Sequence, residues 1–101
     1  MERIQVAYIN NLSERLGKSV KLGNLEIALF KLSNGEVRAI ENSCPHKGGL
    51  LSQGIVSGEH VFCPLHDWKI CTGDGEVQAP DEGCVRTYKV EIQDEKVYVC
   101  L

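Results

Sequence analysis

Four potential metal ligands stand in two short mixed pairs, and they constrain this chain more than any other feature. Cys44 and His46 form a Cys-x-His pair, and Cys63 and His66 form a Cys-x-x-His pair after 16 intervening residues. Thiolate and imidazole groups are common ligands of zinc and iron in proteins. Because each pair contains both ligand types, a shared metal centre would have to lie between the tips of two loops. The sequence therefore predicts that these two loops meet in the folded chain.

Two kinds of metal site are compatible with this ligand set. Two thiolates and two imidazoles can hold a [2Fe–2S] cluster, with the cysteines on one iron and the histidines on the other, at a higher reduction potential than an all-cysteine cluster has. The alternative is a structural Cys₂His₂ zinc site, whose usual spacing pairs cysteine with cysteine and histidine with histidine. The crossed pairs in this chain favour the iron–sulfur interpretation.

In the form C-P-H-x16-C-P-L-H, the pattern resembles that of the Rieske family of iron–sulfur proteins. The resemblance implies a Rieske-type [2Fe–2S] cluster in which Cys44 and Cys63 ligate one iron and His46 and His66 ligate the other. It also implies an electron-transfer role. No catalytic residue is expected in this chain.

Length and charge limit the remaining possibilities. The 101 residues are expected to form a single domain, residues 1–101, with a modest core. The net charge of −3 does not indicate a basic surface that would bind nucleic acid or an anionic membrane. No apolar run approaches the roughly 20 residues that span a bilayer. We therefore expect a cytoplasmic protein that binds neither nucleic acid nor membrane.

The chain has five cysteines, and an odd number argues against a purely disulfide-stapled secreted scaffold. Three of them, Cys71, Cys84 and Cys100, lie outside the ligand pairs. They are predicted to be small buried or half-buried apolar residues, because unbridged cysteine commonly packs in protein interiors.

Short strands joined by turn residues account for most of the chain. Alternating or continuous apolar runs predict an all-β fold of small antiparallel sheets, in which a hairpin carries the two cluster-binding loops at its tip. The predicted strands are 3–9, 18–22, 25–32, 36–40, 54–56, 60–63, 84–93 and 96–101, with one helical turn within 10–17. Asn34-Gly35 predicts a tight hairpin turn. In the last hairpin, Val90, Ile92, Val97 and Val99 are predicted to point inward.

Three glycines lie in or next to the first ligand loop, and they are predicted to let the backbone approach the cluster. Gly48, Gly49 and Gly54 carry no side chain, so their amides could approach the bridging sulfides. For any one of them, simple turn formation is an equally open interpretation. Trp68 and Ile70, just beyond the second ligand pair, are expected to cover the base of the cluster, although Trp68 could equally be an ordinary core residue.

Three longer segments resemble a particular branch of the Rieske family, the small subunits of assimilatory NAD(P)H-dependent nitrite reductases. The segments are 44–49, 54–70 and 80–88, and the resemblance covers nearly the whole chain. It implies a partner, the large subunit that carries flavin, sirohaem and its own iron–sulfur cluster and reduces nitrite to ammonia.

Two other functions remain open from the sequence. A Rieske ferredoxin that serves an aromatic-ring dioxygenase would have the same cluster and a different partner. A structural metal-binding subunit that only stabilises its partner is the third interpretation, and it would need no redox chemistry.

Overall fold

The computed structural model describes residues 3–13, 16–44, 49–64, 68–79 and 82–100. These ranges form strands and two short 3-10 turns, Ile9–Asn11 and Leu51–Gln53, and no α-helix. The strands are β1 (Arg3–Tyr8), β2 (Gly17–Leu22), β3 (Leu25–Lys31), β4 (Val37–Glu41), β5 (Ile55–Ser57), β6 (His60–Phe62), β7 (Lys69–Cys71), β8 (Thr87–Gln93) and β9 (Lys96–Cys100). The predicted all-β class is confirmed. Within the described ranges, no helix is long and apolar enough to cross a membrane.

Six strands form the larger sheet, in the order β1-β9-β8-β4-β3-β2, with every neighbouring pair antiparallel. All six strands contribute to one apolar cluster, which we call the main core. Its fully buried members are Ile27, Leu29, Val97 and Val99.

The smaller sheet, β5-β6-β7, is also antiparallel and packs over a second apolar cluster, which we call the loop core. Residues from β3 and β4 join residues from the smaller sheet and its connections in this cluster. The members are Ala28, Phe30, Leu32, Ile40, Cys44, Leu51, Val56, Val61, Cys63, Ile70, Val77 and Val85. The smaller sheet is thus held against one face of the larger one.

Strand β3 belongs to both cores. Ile27 and Leu29 point into the main core, whereas Ala28 and Phe30 point into the loop core, and all four side chains are 0% exposed. Burying a large aliphatic or aromatic side chain contributes about 1.5–3 kcal/mol. This two-sided burial explains why residues 27–30 of β3 are continuously apolar rather than alternating.

The predicted hairpins are found, with one error in the last of them. Strands β8 and β9 pair from Gln93↔Lys96 onward, and Val97 and Val99 are fully buried. Ile92, which was predicted to point inward, is 47% exposed. The prediction is wrong because β4 pairs with β8 only through Thr87 and Tyr88, so that, among the described strands, the far end of β8 pairs with β9 and not with β4.

Two further elements differ from the sequence prediction. Strand β7 was not predicted, since a three-residue strand with one buried residue, Ile70, shows no periodicity. The helical turn predicted within 10–17 is a single 3-10 turn at Ile9–Asn11, and Gly17 begins β2 instead of ending a helix. The turn at Asn34-Gly35 is confirmed, because it joins β3 to β4 and Gly35 has φ 90°.

Gly54 is needed for backbone packing. A methyl group on its Cα would lie 2.2 Å from the carbonyl oxygen of Phe62 and 3.2 Å from that of Leu51. Gly54 thus has a packing role, because it lets the start of β5 lie against the end of β6. The approach of its amide to the cluster stays a prediction.

Gly54→Ala is expected to destabilise the protein by about 1–3 kcal/mol, the usual cost of forcing extra volume into a packed site. Urea unfolding followed by circular dichroism measures the change. Gly73→Ala is the matched control, because the close contact of its methyl group would be with Nη1 of Arg38 at 2.8 Å, at the movable end of a long side chain, while Sγ of Cys71 would lie at an ordinary contact distance of 3.7 Å. Equal losses of stability in the two variants would contradict the backbone argument.

Candidate metal centre

The first ligand loop, which we call loop 1 (residues 44–49), connects the end of β4 to the 3-10 turn Leu51–Gln53. The amide of Cys44 donates a hydrogen bond of 2.8 Å to the carbonyl oxygen of Gly49, which closes the loop at its base. Cys44 is only 2% exposed and belongs to the loop core. The chain therefore enters loop 1 from a buried position.

The second ligand loop, loop 2 (residues 63–68), lies between β6 and β7. The amide of Cys63 donates to the carbonyl oxygen of Trp68 at 2.8 Å, so the same five-residue closure occurs as in loop 1. Cys63 is 1% exposed and also belongs to the loop core, against which the half-buried Trp68 packs. Two loops with matching closures thus begin at two buried cysteines of one cluster.

The structure brings together the two predicted ligands that it describes, Cys44 and Cys63. The other two, His46 and His66, lie outside the described residues, as does Gly48. The donor chemistry fits a thiolate-bound metal group, because the metal charge offsets the cost of burying thiolates in an apolar cluster. Trp68 is half-buried and packs against the loop core, which contains both cysteines. Its predicted place at the base of the iron–sulfur cluster stays a prediction.

An ion pair orients the smaller sheet on the larger one. Nη2 of Arg38, on β4, lies 3.1 Å from Oε1 of Glu59, in the turn between β5 and β6, and also contacts Glu36. The carbonyl oxygen of Glu59 accepts hydrogen bonds from the amide and the hydroxyl of the buried Thr72, at 2.9 and 2.7 Å. Since the Glu59 side chain is 60% exposed, the pair contributes orientation more than stability.

The third histidine, His60, is half-buried on β6 and is paired with Ser57 and Cys71. It stands three residues before Cys63, which is about 10 Å along an extended strand. This places His60 at the end of the smaller sheet away from the loops.

The remaining cysteines differ in exposure. Cys71 and Cys100 are half-buried, as predicted, whereas Cys84 is exposed, so the prediction for Cys84 is wrong. Cys84 lies in the connection between β7 and β8, where an isolated bridge pairs it with Glu76. Partial desolvation in β9 raises the pKa of the Cys100 thiol, and the hydrogen bond of 3.5 Å that Sγ donates to Oε1 of Glu91 adds to this.

Comparison with known protein families decides what kind of centre this is. The family described as the Rieske [2Fe-2S] domain matches residues 2–89 of the chain. The chain belongs to the Rieske family. It is a Rieske electron-transfer domain, and its cofactor is the Rieske-type [2Fe–2S] cluster. The resemblance seen in the ligand pattern is thereby confirmed.

Relatives of known function include both large oxygenases and small carriers. The chain is 38% identical over 93 residues to 4beta-methylsterol monooxygenase of Methylococcus capsulatus. The aligned region covers 81% of this chain and 25% of the monooxygenase. It is 32% identical over 96 residues to the ferredoxin component of the naphthalene 1,2-dioxygenase/salicylate 5-hydroxylase systems of Ralstonia sp, covering 93% of this chain and 90% of that one. The Rieske chain thus spans about a quarter of the oxygenase and nearly all of the ferredoxin.

Solved structures show the same Rieske fold. A protein assigned as the NADH-dependent nitrite reductase small subunit of Mycobacterium tuberculosis superposes with a TM-score of 0.89 at 24% identity, covering 97% of this chain and 93% of that chain. The Sphingomonas yanoikuyae B1 ferredoxin also gives 0.89, at 23% identity and 97% coverage of both chains. The two superpositions establish the fold equally well.

Alkylation of the native protein by iodoacetamide near pH 8 is expected to modify Cys84 well before Cys100. Alkylation requires the thiolate, and a raised pKa lowers the thiolate fraction of Cys100 at this pH. Glu91→Gln removes the charge that favours the neutral thiol, so the rate at Cys100 should increase. Mass spectrometry measures both rates, and the rate at Cys84 is the internal control. An unchanged Cys100 rate in Glu91→Gln would contradict this account.

Proposed function

We propose that Cys44 and Cys63 ligate one iron of the cluster and that His46 and His66 ligate the other. The observation that supports this assignment is the pair of buried cysteines at matching positions in loops 1 and 2, each with its amide bonded to the carbonyl oxygen five residues later. When bound, the cluster accepts and returns one electron at a time.

The protein supplies rigidity to this centre. Loop 2 stands directly on the β6–β7 ladder, whose last pair is Phe62↔Lys69. Loop 1 is closed by the hydrogen bond from Cys44 to Gly49. Loops fixed in this way resist rearrangement when the charge of the site changes, which keeps electron transfer rapid.

The dithionite-reduced protein, purified anaerobically, is expected to give a rhombic EPR signal of the mixed histidine–cysteine type with [2Fe–2S] stoichiometry of iron and acid-labile sulfide. His66→Ala should abolish the signal and the bound iron, because one iron loses a ligand. His60→Ala is the matched control and should retain both. Bound zinc in the wild type, or iron loss equal in the two variants, would contradict the ligand assignment.

We further propose that the chain is the electron-transfer small subunit of a cytoplasmic assimilatory nitrite reductase, with residues 1–101 acting as one domain. Its partner is the large subunit that carries flavin, sirohaem and an iron–sulfur cluster and reduces nitrite to ammonia. The support comes from segments 54–70 and 80–88, in which the Asp-Trp pair and the Pro-Asp-Glu-Gly-Cys run resemble the nitrite reductase subunits. Oxygenase ferredoxins often lack these features.

The described part of segment 80–88 is bonded into the structure at several points. The amide of Val77 donates to the carbonyl oxygen of Gly83, and the amide of Val85 donates to that of Gly75, at 2.9 and 2.8 Å. The amide of Glu41, at the end of β4, donates to the carbonyl oxygen of Arg86 at 2.8 Å. The segment that distinguishes the subunit family therefore connects the smaller sheet to the strand that leads into loop 1.

A second candidate is a Rieske ferredoxin that delivers electrons to an aromatic-ring dioxygenase. The observation in its favour is the 32% identity to the Ralstonia ferredoxin component over 90% of that protein. The same ligand set and the same fold serve both functions, so the partner distinguishes them.

Affinity purification of the tagged chain from its native host, with the bound partner analysed for cofactors, tests the assignment. The nitrite reductase proposal expects a large partner that contains sirohaem, and NAD(P)H-dependent ammonia formation from nitrite by the complex. A partner with non-haem iron and without sirohaem would support the ferredoxin function instead and would overturn the proposal.

Acidic side chains on the connection between β7 and β8 are expected to contribute to docking. Asp74, Glu76 and Glu82 are exposed there, while the neighbouring Asp81 lies outside the described residues. Complementary charge mainly accelerates association and makes it salt-dependent.

Glu82→Lys should lower the association rate with the large subunit several-fold at low ionic strength, with the difference shrinking as salt is added. Surface plasmon resonance at several salt concentrations measures both effects. Glu95→Lys is the control, because it makes the same charge change at the exposed turn after Gln93, about 20 Å along β8 from Thr87. Equal effects of the two variants would remove the docking hypothesis.

A further inference from the structure

The two ligand loops are supported in different ways. Loop 2 continues on both sides into paired strands, with Phe62↔Lys69, Val61↔Ile70 and His60↔Cys71 in register. The described residues beside loop 1 are not in strands: the chain leaves β4 at Glu41, and after the loop it enters the 3-10 turn Leu51–Gln53. Loop 1 therefore needs a different connection between its two arms.

Asn42 provides that connection. Its side chain is 1% exposed, and Oδ1 accepts a hydrogen bond of 2.8 Å from the amide of Ser52, on the far side of the loop. Its own amide donates to the carbonyl oxygen of Glu26 on β3 at 2.9 Å. The entering arm, the leaving arm and the larger sheet are thus joined at one buried residue, two positions before Cys44.

The second polar atom of the Asn42 side chain extends the same connection. Nδ2 donates to Oγ of Ser19 on β2 at 3.2 Å, so both ends of the amide are satisfied. Ser19 is exposed, and this contact can be replaced by water. The hydrogen bond that Oδ1 accepts from the Ser52 amide is buried, so loop 1 depends on this bond rather than on the contact to Ser19.

Ser52 is also fixed from its other side. A methyl group on Gly17 of β2 would lie 2.3 Å from the carbonyl oxygen of Ser52, so the two backbones are in direct contact. Ser52 is 9% exposed and cannot move toward β2. If the Asn42 acceptor were lost, the Ser52 amide would remain buried without a partner unless the arms of loop 1 separated or rearranged.

We infer that Asn42 is a positioning residue for the iron–sulfur cluster, through its side-chain bond to the Ser52 amide, which joins the arms of loop 1. The inference rests on the proposed ligand role of Cys44. Residues that hold metal ligands in place commonly change metal affinity 10- to 100-fold when they are replaced. Asn42 is expected to act in this way without contacting the cluster.

Asn42→Leu and Asn42→Asp form a pair that separates the acceptor from the branched shape of the side chain. Both replacements keep the four-atom skeleton branched at Cγ, and leucine is the bulkier of the two, but only aspartate keeps an oxygen for the Ser52 amide and can accept from the Ser19 hydroxyl. Iron release from the oxidised holoprotein to a chelator should be at least about 10-fold faster in Asn42→Leu. In Asn42→Asp it should stay within about threefold of wild type, since the bond to Ser52 is retained.

Val97→Ala is the stability control, because Val97 is fully buried in the main core, which contains neither ligand cysteine. It should lower the thermal midpoint while leaving the EPR g values and iron release as in wild type. Asn42→Leu should shift the g values, and Asn42→Ala, a smaller change, serves if the leucine variant does not fold.

Three results would overturn the inference: wild-type iron release in Asn42→Leu or Asn42→Ala, equally fast release in Asn42→Asp, or equal acceleration in Val97→Ala. Failure of the ligand assignment is seen separately, because the wild-type protein would then lack the mixed-ligand EPR signal before any variant is compared.

Discussion

The burial of β3 on both faces is the constraint on which the rest of this Rieske structure depends. Ile27 and Leu29 close the main core, and the intervening Ala28 and Phe30 form the floor of the loop core. A sheet of three short strands buries little apolar surface by itself. Packing on β3 and β4 therefore gives the smaller sheet a fixed position, and with it the two loops that the sheet and its connections carry.

The two ligand loops are closed in the same way at their base but are supported by different parts of the fold. Both begin at a buried cysteine whose amide bonds to a carbonyl oxygen five residues later, so Cys44 and Cys63 have matching local geometry. Beyond that closure, loop 2 rests on a β-ladder, whereas the arms of loop 1 are joined by the buried side chain of Asn42. One-electron transfer benefits from a site that changes little on reduction, and both kinds of support limit such change.

Much of the fold could be predicted because its signals are local. The turn at Asn34-Gly35, the last hairpin and the crossed ligand pairs can each be identified from a few neighbouring residues, and the family match agrees with the ligand pattern. Two of the errors concern burial. Ile92 and Cys84 are exposed because no neighbouring strand or segment covers them in the described structure. Strand length and residue type do not show whether a neighbour will cover a side chain.

The sequence by itself determined the kind of centre, since the ligand pattern together with the family match identifies a Rieske-type cluster. It also determined most strand positions through apolar periodicity. Only the tertiary structure decided which core each residue of β3 faces, why Gly54 cannot carry a side chain, and that Asn42 joins the arms of loop 1. These features depend on contacts between segments far apart in the chain, and such contacts exist only after the two sheets have packed together.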